Sequence, residues 1–199
     1  MTGAQKHSDA QPYANTLARR LRRLSRGTSP FLKVFIVCAT SSLAIYICAD
    51  LAIDWRPVGW GVIDRMILVI KCGIVAVTPA VLAVVVVAAQ RLRPDRQVGR
   101  ELKPYSPVDI NTRIIKNTVE QFVLFFVGIS GMSVYLLHKD AATIPILTGM
   151  FVLGRTLFWI GYHKQPYVRA FGFGLTFYPT VIVVVWVVLR AAFGIYVPI

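Results

Sequence analysis

Acidic residues are scarce in this chain: its 199 residues include only 9 Asp and Glu against 22 Lys and Arg, a formal net charge of +13. A basic excess of this size is typical of nucleic-acid-binding proteins. It is also typical of membrane proteins, whose cytosolic loops are rich in Lys and Arg. No nucleic-acid-binding motif or aromatic platform accompanies the charge, so the membrane interpretation is favoured and no nucleic-acid partner is expected.

Cysteine and the common catalytic motifs are also in short supply. The three cysteines, Cys38, Cys48 and Cys72, lie inside apolar runs and lack the spacing of metal ligands, so no metal site is expected. An odd number of thiols in hydrocarbon predicts reduced cysteines that pack as small hydrophobic side chains. A palmitoylated or reactive thiol is the alternative. The chain has no Gly-rich phosphate loop, no nucleophile elbow and no HExxH zinc helix.

Apolar sequence, in contrast, is abundant, since 56% of the residues are hydrophobic, whereas soluble domains contain about 45–50%. Five runs are long enough to cross the roughly 30 Å of bilayer hydrocarbon, where only a helix satisfies its own backbone. The predicted spans are residues 31–53, 66–90, 118–137, 141–162 and 171–193. The predicted fold class is therefore an all-α integral membrane protein with five transmembrane helices.

The segments outside these spans suggest how the chain is organised. Residues 1–30 form a basic tail, and leucines recur at helical spacing among the arginines of residues 15–26. That spacing predicts a short basic helix on an anionic leaflet, and a disordered tail that only sets topology is the alternative. Residues 31–53 are interpreted as an extra N-terminal span and retained signal anchor. Four further spans lie in the membrane domain at residues 64–199.

Charge bias between loops predicts the orientation. The tail, residues 91–116 and residues 163–169 are basic, whereas residues 54–65 and 138–140 are close to neutral. Because basic loops stay on the cytosolic side, the N-terminus is predicted to be cytosolic and the C-terminus lumenal or extracellular. This topology of a multi-pass protein brings six polar side chains to the cytosolic face. They are Arg113, Asn117, Glu120, Arg155, Tyr162 and Arg169.

Three of these side chains begin the third span. Arg113, Asn117 and Glu120 are spaced i, i+4 and i+7, which places them on one stripe of a helix. A guanidinium, an amide and a carboxylate on one stripe are able to clamp a zwitterion, because the carboxylate binds an ammonium and the guanidinium binds a carboxylate. The alternative is an internal polar network that pins the end of the helix.

The other three belong to the fourth and fifth spans. Arg155 and Tyr162 share a helix face with Phe158 between them, and Arg169 opens the fifth span just after Pro166. Ionisable groups at the edge of hydrocarbon indicate a site, here a pocket for a small anionic, amine-bearing ligand. A fixed guanidinium at Arg169 would lower the pKa of a nearby thiol. Each residue also has a simpler interpretation, as a snorkelling arginine, an interfacial tyrosine or a topology anchor.

At these residues the chain resembles the MAPEG superfamily, the membrane-associated proteins of eicosanoid and glutathione metabolism. Two motifs carry the resemblance: R-x3-N-x2-E at residues 113–120 and R-x6-Y-x6-R at residues 155–169. It covers roughly residues 64–199. The extra span at 31–53 is similar to that of a five-span branch that includes mattrin.

The resemblance implies that the last four spans form a left-handed four-helix bundle, which assembles as a homotrimer with glutathione between subunits near the cytosolic face. Arg113, Asn117 and Glu120 would hold the charged ends of the tripeptide, and Arg155 and Tyr162 would line the same cleft. Arg169 would be the catalytic residue that stabilises the thiolate. That thiolate would attack a lipophilic electrophile or reduce a lipid hydroperoxide that enters from the membrane lipids.

The chain departs from the family pattern at several contacts. Ile115 falls where enzymes of the family tend to place a polar residue on glutathione, and Gln121 and Phe158 occupy positions that carry a ligand-binding tyrosine in some members. Three functions stay open: a glutathione-dependent transferase or peroxidase, a non-catalytic mattrin-like adaptor that retains the fold, and a channel or transporter. The channel is least favoured, because no span carries charge near its midpoint and only Pro79 suggests a discontinuous helix.

Overall fold

The computed structural model describes residues 35–53, 57, 59–92, 106–137 and 140–194. Five helices in these ranges are long and apolar enough to span a membrane, and no strand occurs among the described residues. The helices are α1 Phe35–Ala52, α2 Val62–Arg91, α3 Pro107–Tyr135, α4 Thr143–Lys164 and α5 Pro166–Phe193. The prediction of an all-helical fold with five candidate spans is confirmed. The basic tail at residues 1–30, with its predicted surface helix, lies outside the described residues.

Two of the helices that carry the site, α3 and α5, begin earlier than the predicted spans. α3 starts at Pro107, where the Ser106 hydroxyl caps the helix by accepting from the Asp109 backbone N–H at 3.2 Å. Proline fits the first helical position because its missing N–H has no intrahelical partner there. Hydropathy registers only the apolar part of a helix, so the polar first turns of α3 were left out of the predicted span. As a result, Arg113 lies inside α3.

α4 and α5 form a tight hairpin, because the extended residue Gln165 alone separates Lys164 from Pro166. Glycines let the two backbones touch. A Cβ atom at Gly161 would overlap the backbone around Arg169, and one at Gly172 would overlap the backbone around Phe158. Small residues at such crossings are typical of helices that pack closely in membranes. The hairpin therefore fixes the start of α5 against the end of α4.

α2 and α3 pack against this hairpin, and α4 is the most buried of the five helices. The contact between α3 and α4 is aromatic, with the rings of Phe125 and Phe151 stacked at 4.5 Å between centroids. The outer faces of the helices expose many Ile, Val and Leu side chains. Apolar side chains on an outer face suit a protein surrounded by lipid. The buried residues are therefore those that lie at the contacts between helices.

α1 lies along α4 and α5. The Cys38 thiol donates to the Ala170 carbonyl at 3.8 Å, and the hydroxyls of Tyr46 and Thr143 are 3.1 Å apart. Close approach at the first contact depends on Gly174, where a Cβ atom would lie 2.6 Å from the Cβ of Cys38. All three cysteines are free, as their odd number predicts, although Cys48 is exposed rather than packed.

Candidate functional site

The site is centred on Arg155, which is 1% exposed although it carries a full charge. Its Nη1 donates to the Asn117 Oδ1 of α3 at 2.8 Å, and its Nη2 donates to the Thr176 Oγ1 of α5. One guanidinium thus ties three helices together. Hydrogen bonds to charged groups are stronger than neutral ones, which makes this a firm link.

Aromatic rings surround the same guanidinium. Its carbon atom lies 4.7 Å from the ring centroid of Phe158 and 5.9 Å from those of Phe151 and Phe173. The negative face of an aromatic ring attracts a cation, most strongly when water is excluded. Within the described ranges Arg155 makes no ion pair with a carboxylate. Neutral oxygens and π faces therefore supply its stabilisation.

The stacking continues from Arg155 to the start of α5. Phe158 packs edge-on against Tyr162 with ring centroids 5.3 Å apart, and the Arg169 guanidinium lies 4.9 Å from the Tyr162 ring centroid. Arg155, Phe158 and Tyr162 are spaced i, i+3 and i+7 in α4 and therefore share a face of the helix. Because Gln165 alone links α4 to α5, the chain turns back sharply and Arg169 lies against that face. Arg169 is exposed, unlike Arg155. Its guanidinium is positioned on a ring and remains accessible to a ligand.

Arg113 and Glu120 lie away from this stack. The Arg113 Nη2 pairs with the Asp109 Oδ2 at 3.1 Å, and the Arg113 side chain is 54% exposed. Glu120 is exposed on the same side of α3. The stripe of Arg113, Asn117 and Glu120 runs along the boundary between the packed and the outer side of α3. Asn117 is the partly buried member of the stripe, and it reaches α4. Within one chain, the structure joins Asn117 to Arg155 and Tyr162 to Arg169, and it leaves Arg113 and Glu120 outside.

A second polar network, which the sequence did not predict, lies near the C-terminal ends of α2 and α4. The Oδ1 of Asn111, a residue only 2% exposed, accepts from the Trp159 Nε1 at 3.3 Å and from the His163 Nε2 at 3.0 Å. The Asn111 Nδ2 donates to the Gln90 Oε1 at 3.2 Å. The sequence signal that could have revealed this network is the presence of Asn111 and His163 in helical segments, because a buried polar side chain needs a hydrogen-bond partner there. This network holds α4 in place beside Tyr162.

Thr176 was also missed by sequence reasoning. It lies in an apolar run, and a threonine there normally bonds back to its own helix, as Thr176 does to the Phe173 carbonyl at 2.9 Å. Its second role, as acceptor for Arg155, depends on how close α4 and α5 come. The part of the chain that the structure describes contains no group of three or more side chains suited to hold a metal ion.

Comparison with known proteins identifies the family of this chain. The MAPEG family model matches residues 68–195. Transmembrane protein 79 of Mus musculus and transmembrane protein 79 of Bos taurus, a protein also called mattrin, are each 31% identical over 128 residues.

These matches cover 62% of this chain and 31% of each relative, so the chain spans about a third of the length of these curated relatives. No solved structure matches. The matched region holds Asn117, Arg155, Tyr162 and Arg169 together with α3, α4 and α5, and it makes up more than half of the sequence. The chain therefore belongs to the MAPEG family, as an integral multi-pass membrane protein.

Proposed function

We propose that this protein binds glutathione at its cytosolic face and acts as a glutathione transferase or peroxidase on lipophilic electrophiles. The observation that carries the proposal is the exposed guanidinium of Arg169, held 4.9 Å above the ring centroid of Tyr162. A cation that is fixed by its own protein does not have to be ordered again when a thiolate develops beside it. Arg169 is then the catalytic residue, because it faces the sulfur of the tripeptide.

The remaining charges of the pocket come from α3 in this proposal. Arg113 and Glu120 lie near the start of a membrane helix, where exposure to lipid is costly for an ionised group. A neighbouring subunit covers them if α2–α5 form a left-handed four-helix bundle that assembles as a homotrimer. Arg113 then binds a carboxylate of glutathione, and Glu120 binds its ammonium. Asn117 and Arg155 bond to each other and form the inner wall of the same cleft.

Ultraviolet absorbance of the glutathione thiolate tests this assignment. Purified protein mixed with glutathione near neutral pH is expected to give a thiolate signal that Arg169→Ala abolishes. Arg190→Ala is the matched control, because Arg190 lies 5.2 Å from the Trp186 ring centroid in the same kind of stack at the other end of α5. An undiminished signal in Arg169→Ala, or no signal in the wild type, contradicts the catalytic role.

The second candidate function is a non-catalytic, mattrin-like membrane adaptor that retains the fold. Two observations favour it: the matched relatives are named transmembrane protein 79, and Asn117 and Arg155 are already hydrogen-bonded to each other inside the chain. Ile115 and Phe158 also offer a tripeptide fewer polar contacts than the residues that some members of the family carry at these positions. The adaptor function predicts a trimer that gives no thiolate signal. It also predicts that glutathione does not protect Arg113 or Glu120 from chemical labelling.

A further inference from the structure

α5 changes its packing partner along its length. In its first half, a Cβ atom at Gly172 would overlap the backbone of α4 around Phe158. In its second half, Val187 lies so close to α3 that a Cβ atom at Gly131 would be 2.6 Å from one of its methyl carbons. Pro179 lies between these two halves of the helix. The region where α5 leaves α4 and joins α3 therefore contains a helix-breaking residue.

The backbone of α5 has a gap in its hydrogen bonds at this point. Pro179 has no N–H, so the carbonyl of Leu175 lacks the donor that an α-helix normally supplies four residues later. In a membrane-spanning helix such a carbonyl needs another donor, because the surrounding lipid offers none. Hydroxyl side chains and ordered water molecules are the usual replacements in membrane proteins.

The hydroxyl of Thr180 is a buried polar group without a partner. Thr180 is only 3% exposed, and its Oγ1 has no hydrogen-bond partner among the described residues. Thr148 and Thr156 behave differently, since each donates to the carbonyl four residues earlier in its own helix at 2.8 Å. Buried polar groups in proteins are nearly always hydrogen-bonded. The same turn of α5 therefore contains a donor and an acceptor that both need a partner.

A small cavity between α3, α4 and α5 adjoins both groups. It has room for about one water molecule, and Leu175, Thr176, Pro179 and Thr180 belong to its wall. The rest of the wall is apolar and includes Phe125. A buried water molecule needs two to four polar partners, and a cavity without them stays dry. The polar groups of this wall therefore decide whether water enters.

The wall offers three polar partners. Two are the Thr180 hydroxyl and the Leu175 carbonyl. The third is Thr176 Oγ1, which donates to the Phe173 carbonyl and accepts from Arg155. A hydroxyl oxygen has two lone pairs and one hydrogen, so Thr176 is able to accept a second hydrogen bond.

We propose that this cavity is the binding site of one structural water molecule, which closes the gap in α5 at Pro179. The water accepts from the Thr180 hydroxyl and donates to the Leu175 carbonyl and to Thr176 Oγ1. Through Thr176 it extends the polar network of Arg155 across the break in the helix. The site does not depend on glutathione, so it stands or falls separately from the proposed pocket.

Thermal unfolding of the purified, detergent-solubilised protein tests the proposal through the sign of one change. Thr180→Val keeps the shape of the side chain and removes the hydroxyl. With water in the cavity, the variant loses a hydrogen bond, and its midpoint is expected to fall by about 2–4 °C. In a dry cavity valine would remove a buried hydroxyl that has no partner, and the midpoint would rise or stay unchanged. Either of those results would overturn the water site.

Thr156→Val is the matched control, since the Thr156 hydroxyl is on the exposed side of α4 and bonds to the carbonyl of Val152 in its own helix. Its midpoint is expected to stay within about 1 °C of the wild type. A drop in Thr180→Val as small as that of this control would contradict a special role for the Thr180 hydroxyl.

Pro179→Ala distinguishes water from a hydroxyl that bonds to its own helix. Alanine restores the N–H that donates to the Leu175 carbonyl, so water loses one of its partners. Adding Thr180→Val to Pro179→Ala is then expected to lower the midpoint by less than half as much as it does in the wild type. An equal drop in both backgrounds would overturn the proposal, because the hydroxyl would then act without the water.

A crystal structure of the wild type that resolves ordered water tests the site directly. Density for one water molecule is expected within about 3.2 Å of both Thr180 Oγ1 and the Leu175 carbonyl oxygen. A well-ordered cavity without such density would also overturn the proposal.

Discussion

At the scale of single residues, the protein depends on a cation that it buries completely. Arg155 reaches Asn117 and Thr176 from a helix that is itself surrounded by other helices. Each acceptor satisfies one edge of the guanidinium, so removing an acceptor leaves a buried charged donor without a partner. The cost of such a loss exceeds the strength of an ordinary hydrogen bond.

Asn117→Ala is expected to lower the free energy of unfolding by about 1.5–3 kcal/mol, because it leaves the Nη1 of Arg155 unsatisfied. Lys116→Ala changes the exposed neighbour on the same helix and is expected to stay within about 0.5 kcal/mol of the wild type. Denaturant unfolding in a defined detergent measures both values. Equal stability of the two variants would show that the Arg155–Asn117 bond contributes little.

Glu120→Gln tests the pocket at the same scale, and its outcome depends on the proposed glutathione site. The change removes the carboxylate that would bind the ammonium of the tripeptide, so glutathione affinity is expected to fall about tenfold or more. A des-amino analogue lacks that ammonium and is expected to bind both proteins equally. Calorimetric titration with both ligands measures the difference. Equal losses for the two ligands would assign Glu120 a structural role.

At the scale of helices, the hairpin of α4 and α5 positions the site. Gln165 is the only residue between the two helices, and Gly161 allows the backbone around Arg169 to pack directly on α4. This contact holds the Arg169 side chain over Tyr162. The geometry of the candidate catalytic residue is therefore a property of a backbone contact as well as of its own side chain.

Gly161→Ala is expected to destabilise the protein by about 1–3 kcal/mol, because the added methyl group overlaps the backbone of α5. Gly149→Ala lies in the same helix, where a Cβ atom meets nothing within 4 Å. That variant is expected to be neutral or more stable by up to about 1 kcal/mol, since alanine favours a helix. Thermal unfolding compares the pair. A harmless Gly161→Ala would mean that the two helices separate easily at this point.

The length of the apolar runs was sufficient to predict five helices, and the order of the predicted spans placed Arg155, Tyr162 and Arg169 at one end of α4 and α5. The helix limits were less accurate, because the capped, polar first turns of α3 carry no hydropathy signal. The partners of Arg155 were beyond prediction, since Thr176 becomes an acceptor only through the close packing of α4 on α5. The outer position of Arg113 and Glu120 follows from the rotation of α3, which periodicity alone does not fix.

At the scale of the whole molecule, the exposed charges of α3 indicate that one chain does not complete the proposed pocket. Arg113 and Glu120 share the outer side of α3 with exposed apolar residues such as Val123 and Val127. Charged groups in a lipid-facing stripe are unusual and expensive. A neighbouring copy against this side would bury the apolar residues and bring the two charges into a shared cleft.

Native mass spectrometry from detergent is expected to give a mass of three chains, each 22.2 kDa. Replacing Val123 and Val127 with larger tryptophan side chains is expected to shift the population toward monomers, because both residues lie on the side that a neighbour would cover. The same changes at Val84 and Val85 of α2, which are also exposed, serve as the control. A monomeric wild type would contradict a pocket shared between subunits.

The short link at Gln165 has a consequence for biogenesis. Two long helices joined by a single residue leave only a short polar stretch, at residues 163–169, for a ribosome-bound translocation channel to pause on between them. α4 is therefore expected to wait at the channel exit until α5 has been synthesised, and the two then enter the bilayer together.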